Sequence, residues 1–404
     1  MRIGIDCLRA DPDYVGGLNT YILGLLDGFA ACGRRHNFQL YVTEGNCKLF
    51  ARYVGSKRFE LVTIPSGFFR MRQTVSRAAL LSGSQSVYRS ANARLFSGLR
   101  EIMDMGSDLI YTPTVSLLCF DHRTPTLLSM HDLQHLHYPE FFSWPRLLSR
   151  KIVYELSATH ANFFQASSEF IKRDMLDHFP EISAEQIAVI PEGVNLEDFL
   201  MPRSAAALQR YQVAERFVFF PAQLWPHKNH LTVLKALRQI EREQGVKIPL
   251  VMTGASYSAA PAVFRFVTEQ GMDYVRHLGK VPFDDLVALY QRAAFVISPG
   301  LYESNSLPIL EASAAGTAVV ASRIPPNEEL AQTLSLNLFD PSDEQNLAQL
   351  LFSMWQDETA CREQGLLNRD QVARFSWKNA AGQYLDWIEQ LAGESCSTRQ
   401  LLLQ

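Results

Sequence analysis

At 404 residues the chain is too long for one ordinary hydrophobic core, and two domains of about 200 residues are expected. Hydrophobic residues at 47% and charged residues at 20%, with 22 Gly and 19 Pro, exclude collagen-like, mucin-like and largely disordered chains. Lys and Arg number 38 against 42 Asp and Glu, and the resulting charge of −4 argues against a dedicated nucleic-acid binder. No apolar run approaches the roughly 18 residues that span a bilayer. Asp6 interrupts what would have to be the core of a signal peptide, so M-R-I-G-I-D-C reads as a first strand. The cysteines (Cys7, Cys32, Cys47, Cys119, Cys361, Cys396) are scattered, with no C-x-x-C pair. Zinc ribbons and disulfide frameworks are therefore disfavoured, and a reduced, cytoplasmic setting is expected.

In chain order, strands are predicted at Arg2–Cys7, Gln39–Thr43, Glu60–Pro65, Leu109–Tyr111, Thr126–Met130, Asn162–Ala166 and Ala188–Ile190. The pattern restarts at Phe217–Pro221, Leu250–Thr253, Val275–Leu278, Phe295–Ser298 and Ala318–Ala321, with helical segments between. Such alternation in two halves implies two parallel-sheet α/β domains, at 1–197 and 198–380. A linker is placed near 196–212, where Pro202 and an alanine run interrupt the pattern. A helix within 381–404 is expected to pack back towards the first domain, with a frayed tail from 393.

Ligands of open parallel sheets bind in the loops at the carboxyl ends of the strands, and four such loops carry chemistry. The first holds Gly16 and Gly17, whose amides could approach a phosphate at a helix N-terminus; a plain tight turn is the alternative. Asp11-Pro12-Asp13 in the same loop has a metal-holding spacing but reads better as a turn. The second is S-M-H-D-L-Q-H-L-H-Y-P-E, where His131 and His135 are four apart with Asp132 and His137 nearby. Zinc binding would need a helix here. The segment instead follows a strand and runs into Pro139, so a functional His131 and a merely hydrogen-bonded loop histidine both stand open. The third is P-A-Q-L-W-P-H-K-N-H, which puts Lys228 just before a helix, where a cation and free amides together could receive a diphosphate. An ordinary surface lysine is the alternative.

The fourth loop, I-S-P-G-L-Y-E-S-N-S-L-P-I-L-E-A-S-A-A-G-T-A-V-V-A-S, is the most informative. A strand ends at Ser298, the loop carries Glu303, Pro308 opens a helix, and that helix carries Glu311 in its first turn and stops at Gly316. A carboxylate there could accept both hydrogens of a ribose diol beside amides that bind phosphate oxygens. Helix-stabilising acids would explain either glutamate alone, but not the whole strand–loop–helix–glycine–strand unit.

With these residues in place, the sequence resembles retaining glycosyltransferase family 4. Its pattern P-S-x-x-E-G-F-G-L-P-x-x-E-A, then G-x-P-V-V-A-S, stands here as Pro299, Glu303, Leu307-Pro308, Glu311-Ala312 and G-T-A-V-V-A-S. The resemblance extends over the opening strand and glycine loop, H-D-L, A-S-S-E-F-I-K, I-P-E-G-V-N and W-P-H-K-N-H. It implies the GT-B fold, two Rossmann-like α/β domains facing across a cleft. It further implies that Glu311 binds the ribose of a nucleotide-sugar, that Glu303 lies by the donor sugar, and that Lys228 neutralises the diphosphate. Gly16, Gly17 and the Leu307–Ile309 amides would help, and His131, with Asp132 beside it, would face the reacting centre. No metal and no cofactor beyond the nucleotide-sugar substrate is implied. Two departures bear on the donor. Gln223 stands where many members have Arg, and Ser304-Asn305-Ser306 replaces the glycine-bearing G-F-G, offering side-chain hydrogen bonds instead.

Between Phe68 and Arg100 six arginines (Arg70, Arg72, Arg77, Arg89, Arg94, Arg100) occur with no lysine or acidic residue. With interleaved apolar residues this segment is a candidate contact with an anionic membrane or a lipid-linked acceptor; a solvated face is the alternative. The opening segment and H-D-L…P-E-F-F look most like the bacterial mannosyltransferases of surface-polysaccharide pathways. The expectation is a metal-independent, retaining hexosyltransferase acting from GDP-mannose on a glycan or lipid-linked acceptor. Its rivals are a sugar-nucleotide epimerase or hydrolase of the same fold and a non-catalytic sugar-nucleotide-binding subunit.

Overall fold

The computed structural model describes all residues except 13–16, 33–35, 205 and 402–404, and no side chain at 68, 206–207 or 393–401. The chain divides into two compact units, Met1–Pro191 with Lys378–Gln404, and Glu192–Trp377.

The first unit is built on seven strands: β1 (Arg2–Asp6), β2 (Asn37–Thr43), β3 (Phe59–Ile64), β4 (Leu109–Thr112), β5 (Thr126–Met130), β6 (Phe163–Ala166) and β7 (Ile187–Val189). Their order is β3-β2-β1-β4-β5-β6-β7, and every neighbouring pair is parallel. Helix α1 (Gly17–Ala31) buries Tyr21, Leu25 and Phe29 with Ile22 and Leu26, the i, i+4 stripe that packs a helix on a sheet. Phe29 stacks on Phe38 and Phe38 on Phe59, so the stripe continues across β2 and β3. Helices α2 (Ser66–Leu80) and α3 (Gln85–Leu95) precede β4.

The second unit carries β8 (Val218–Pro221), helix α4 (His230–Gln244), β9 (Leu250–Thr253), β10 (Val275–His277), helix α5 (Phe283–Arg292), β11 (Phe295–Ser298), helix α6 (Leu307–Ala315), β12 (Val319–Ser322), β13 (Asn337–Phe339) and helix α7 (Glu358–Gln371). Its all-parallel order is β10-β9-β8-β11-β12-β13. Alternate residues of one strand enter separate buried clusters: Val218 and Phe220 in one and Phe219 in the other, Phe295 and Ile297 against Val296. Both faces of the sheet are covered, which is why these strands read as continuous apolar runs. Helix α8 (Trp377–Leu401) carries the chain back into the first unit.

Every predicted strand is present within two residues of its expected bounds, and β13 is an additional strand not expected from the sequence. The segment 196–212 differs from the linker reading. It forms two short helices, Leu196–Leu200 and Ala206–Gln209, and buries Phe199 and Leu208 in the second unit's core. The Tyr211 hydroxyl donates to Asp285, so the segment is anchored and the unit boundary falls earlier, between Pro191 and Glu192. The side chains of the expected frayed tail, 393–404, lie outside the described set.

Candidate active site

In the second unit the strand order reverses between β8 and β11, so the loops leaving these two strands diverge and open a crevice between them. Lys228 ends a short 3-10 turn in the β8 loop, and Glu303 lies in the β11 loop. The Leu301 amide donates to the His227 carbonyl at 2.7 Å, and Lys228 Nζ donates to both Glu303 oxygens, at 2.7 and 2.9 Å. A Cβ at Gly300 would collide with the Glu303 carboxylate, so this glycine makes room for the acid. Gln223, in the β8 loop, accepts from the Trp225 indole at 3.0 Å, and Trp225 stacks on Tyr257.

Ser304, Asn305 and Ser306 are not equivalent. Ser304 is half-buried, Ser306 is fully buried with its hydroxyl 2.9 Å from that of Ser298, and Asn305 is buried with its Nδ2 unpartnered among the described residues. Of the Leu307–Ile309 amides implied as phosphate ligands, Pro308 has none and that of Ile309 bonds the Ser306 carbonyl at 2.9 Å. Only the Leu307 amide is left uncommitted among the described residues of that trio.

Glu311 stands one full turn inside α6, not in its first turn. The helix N-terminus therefore does not hold it ionised. Burial instead lifts its carboxyl to about 7, partly countered by a hydrogen bond from the Tyr290 hydroxyl at 2.5 Å. Sequence reasoning missed Tyr290, which comes from a different helix and belongs to no motif.

In the first unit, Gly16 lies outside the described residues. Gly17 opens α1, and nothing lies within 4 Å of where its Cβ would stand. Asp13 of the acidic pair is also undescribed, while the Asp11 carbonyl accepts from Asn19. His131, at the carboxyl end of β5, donates from Nε2 to the Pro113 carbonyl at 3.0 Å. The Tyr21 ring meets it edge-on at 4.4 Å. Asp132 turns away to an ion pair with Arg150 at 2.7 Å and accepts from the Gln134 amide, so it braces the loop. His135 is buried against Tyr154 and burial drops its pKa to about 4, while His137 bonds Asp174. Among the described residues no three His, Cys, Asp or Glu side chains converge on a metal-sized point.

Two family models match: the one described as Glycosyltransferase Family 4 over residues 15–198, and Glycosyl transferases group 1 over residues 209–366. The chain belongs to glycosyltransferase family 4. This family 4 chain is 26% identical over 266 residues to an O-antigen chain mannosyltransferase B of Escherichia coli, covering 64% of itself and 68% of that protein. Against a serotype-specific mannosyltransferase WbdA of E. coli it is 26% identical over 230 residues, 54% of itself but 28% of the relative. Among solved structures it matches a sucrose-phosphate synthase from Thermosynechococcus elongatus, with TM-score 0.73, 19% identity and coverage of 97% and 99%. It also matches Anabaena Alr3699/HepE in complex with UDP-glucose, with TM-score 0.72, 18% identity and coverage of 96% and 100%. The family 4 chain is thus a glycosyltransferase of the GT-B type. Among the described residues no helix is long and apolar enough to cross a membrane.

Proposed function

We propose that the chain transfers a mannosyl group from GDP-mannose to a glycan or lipid-linked glycan during surface-polysaccharide synthesis, with retention and without a metal. The observation that carries this reading is the Lys228–Glu303 pair, which joins the two loops at the strand-order reversal of the second unit. Breaking a glycosyl–phosphate bond builds negative charge on the diphosphate and positive charge on the anomeric carbon. Lys228, helped by the Leu307 amide, takes the first; Glu303, released from the lysine by the incoming phosphate, faces the second. The anomeric carbon–phosphate bond breaks as the acceptor oxygen bonds the same face, and a diphosphate oxygen takes the acceptor's proton. Glu311 takes the ribose, and His131 faces the donor sugar. The mannosyl assignment is supported by the names of the curated relatives, and the nucleotide-sugar by the UDP-glucose in HepE.

The cytoplasmic face of an anionic membrane is the proposed place of action. Helix α2 exposes Met71 and Val75 between Arg70 and Arg77, and Leu81 and Val87 follow. Arg89 pairs with Asp121 at 2.6 Å, so it is not part of the cationic surface that the sequence segment suggested.

The test is a thermal-shift series with GDP, UDP, TDP and ADP, followed by transfer from the matching nucleotide-sugar. A nucleotide at 100 times its Kd should stabilise the unit by about 2.7 kcal/mol. GDP shifting wild type, with transfer abolished in Glu303→Ala and His131→Ala while GDP affinity is kept, is the expected result. Donor cleavage without an acceptor would instead favour an epimerase or hydrolase, and nucleotide binding without turnover a non-catalytic subunit.

A further inference from the structure

We infer that Tyr290 is a positioning residue of the nucleotide site, holding Oε2 of Glu311 so that the carboxylate presents Oε1 to the ribose diol. This rests on Glu311 being the ribose ligand. Tyr290 lies on α5 and is fully buried. Its ring is met edge-on by Phe199 at 5.6 Å and by Phe219 at 5.0 Å, and its carbonyl accepts from the Thr317 hydroxyl at 2.7 Å. A side chain fixed at both ends has one direction for its hydroxyl, and it donates to Glu311 Oε2. Burial and the neighbouring carboxylate drive the phenol's own ionisation far upward, so it remains a donor throughout the working pH range.

The consequence concerns charge as well as geometry. A ribose diol has two O–H donors and needs an ionised acceptor. Burial holds the Glu311 proton to about pH 7, and the Tyr290 hydrogen bond works against it. Helix α6 is packed by β11, β12, α5, α7, Leu196–Leu200 and the turn Val372–Phe375. These elements carry Glu197, Asp198, Asp284, Asp285, Arg292, Glu358, Arg362, Glu363, Arg369, Asp370 and Arg374, and besides burial the group that bears on the Glu311 charge is the Tyr290 hydroxyl. Nucleotide uptake near neutrality therefore expels a proton from Glu311, and Tyr290 sets the pH at which that becomes easy.

The experiment is calorimetric titration of the full chain with GDP, UDP, ADP and TDP at pH 6, 7 and 8.5, for wild type, Tyr290→Phe and Glu311→Ala. Melting curves of each variant confirm the fold. Tyr290→Phe should weaken the best-bound diphosphate about five- to tenfold at pH 7, with the loss shrinking at pH 8.5. A Tyr290→Phe affinity equal to wild type, or a loss independent of pH, overturns the proposal while leaving Glu311 as a ligand. Undiminished binding by Glu311→Ala, or no binding of any diphosphate to wild type, overturns the ribose reading itself.

Discussion

Lys228 and Glu303 are both largely shielded from solvent and are paired with each other at 2.7 Å. Glu311 is the opposite case, an acid with a phenol for a partner and no cation. Its carboxyl is raised from 4.5 to about 7, so folding favours its protonated form. The stability this gives is complete below pH 4.5 and is lost as pH rises through 7. Glu311→Gln, which stays neutral, should therefore gain on wild type across that window, by on the order of 2–3 kcal/mol, and run parallel to it above. Denaturant titrations at pH 5, 7 and 8.5 check this; a constant difference would show that the acid is not perturbed. A group that destabilises the ligand-free fold at neutral pH is what a binding site, rather than a core, retains.

At the scale of elements, the carboxyl end of α6 depends on two glycines of different kinds. Gly316 ends it with φ +75°, a left-handed conformation that costs a side chain about 1 kcal/mol. A Cβ there would meet the flexible Arg369 side chain at 3.5 Å and the Gly365 carbonyl at 3.9 Å, both ordinary contacts. Gly365, on α7, has an ordinary backbone, but its Cβ would run into the Gly316 carbonyl. Gly365→Ala should accordingly cost about 2–3 kcal/mol and Gly316→Ala about 1 kcal/mol, because backbone yields less readily than a side-chain tip. Equilibrium unfolding of the two variants checks the order. The Gly365 variant should also weaken nucleotide binding, since displacing α7 from α6 displaces Glu311 with it.

For the whole molecule, the first unit is discontinuous, and α8 completes it. Its Tyr384 hydroxyl lies 2.5 Å from that of Tyr21, which also meets Tyr111 at 2.8 Å and Ser129 at 3.0 Å. Phe163 packs on Trp387, and His36 bonds Glu389 at 2.7 Å. A chain ending at Trp377 would remove one member of this buried hydroxyl network and bare an apolar face. Calorimetry of that truncation should show the first unit's transition lowered or lost while a nucleoside diphosphate still raises the second unit's. Loss of both transitions would mean that the two units fold as one.

The strands were legible because parallel strands buried on both faces are short apolar runs, and the helix carrying Pro308 and Gly316 was legible because both signals are local. Lys228, Glu303 and Glu311 stood out by their places after strands and within an ordered set of motifs. What each of them touches was not legible. The Lys228–Glu303 bond joins residues 75 apart, Tyr290 reaches Glu311 from 21 residues away, and Tyr21 meets Tyr384 across 363. The same holds for 196–212, whose alanines and Pro202 read as a break yet whose Phe199 and Leu208 enter a core assembled from strands further along. Local propensity and periodicity determine which segments become strands and helices, and hence that this chain forms two parallel sheets. The crossovers decide which loops meet at the strand-order reversal, and only the resulting tertiary packing decides that one glutamate is paired with a lysine while the other, buried against a phenol, keeps its proton to near neutrality.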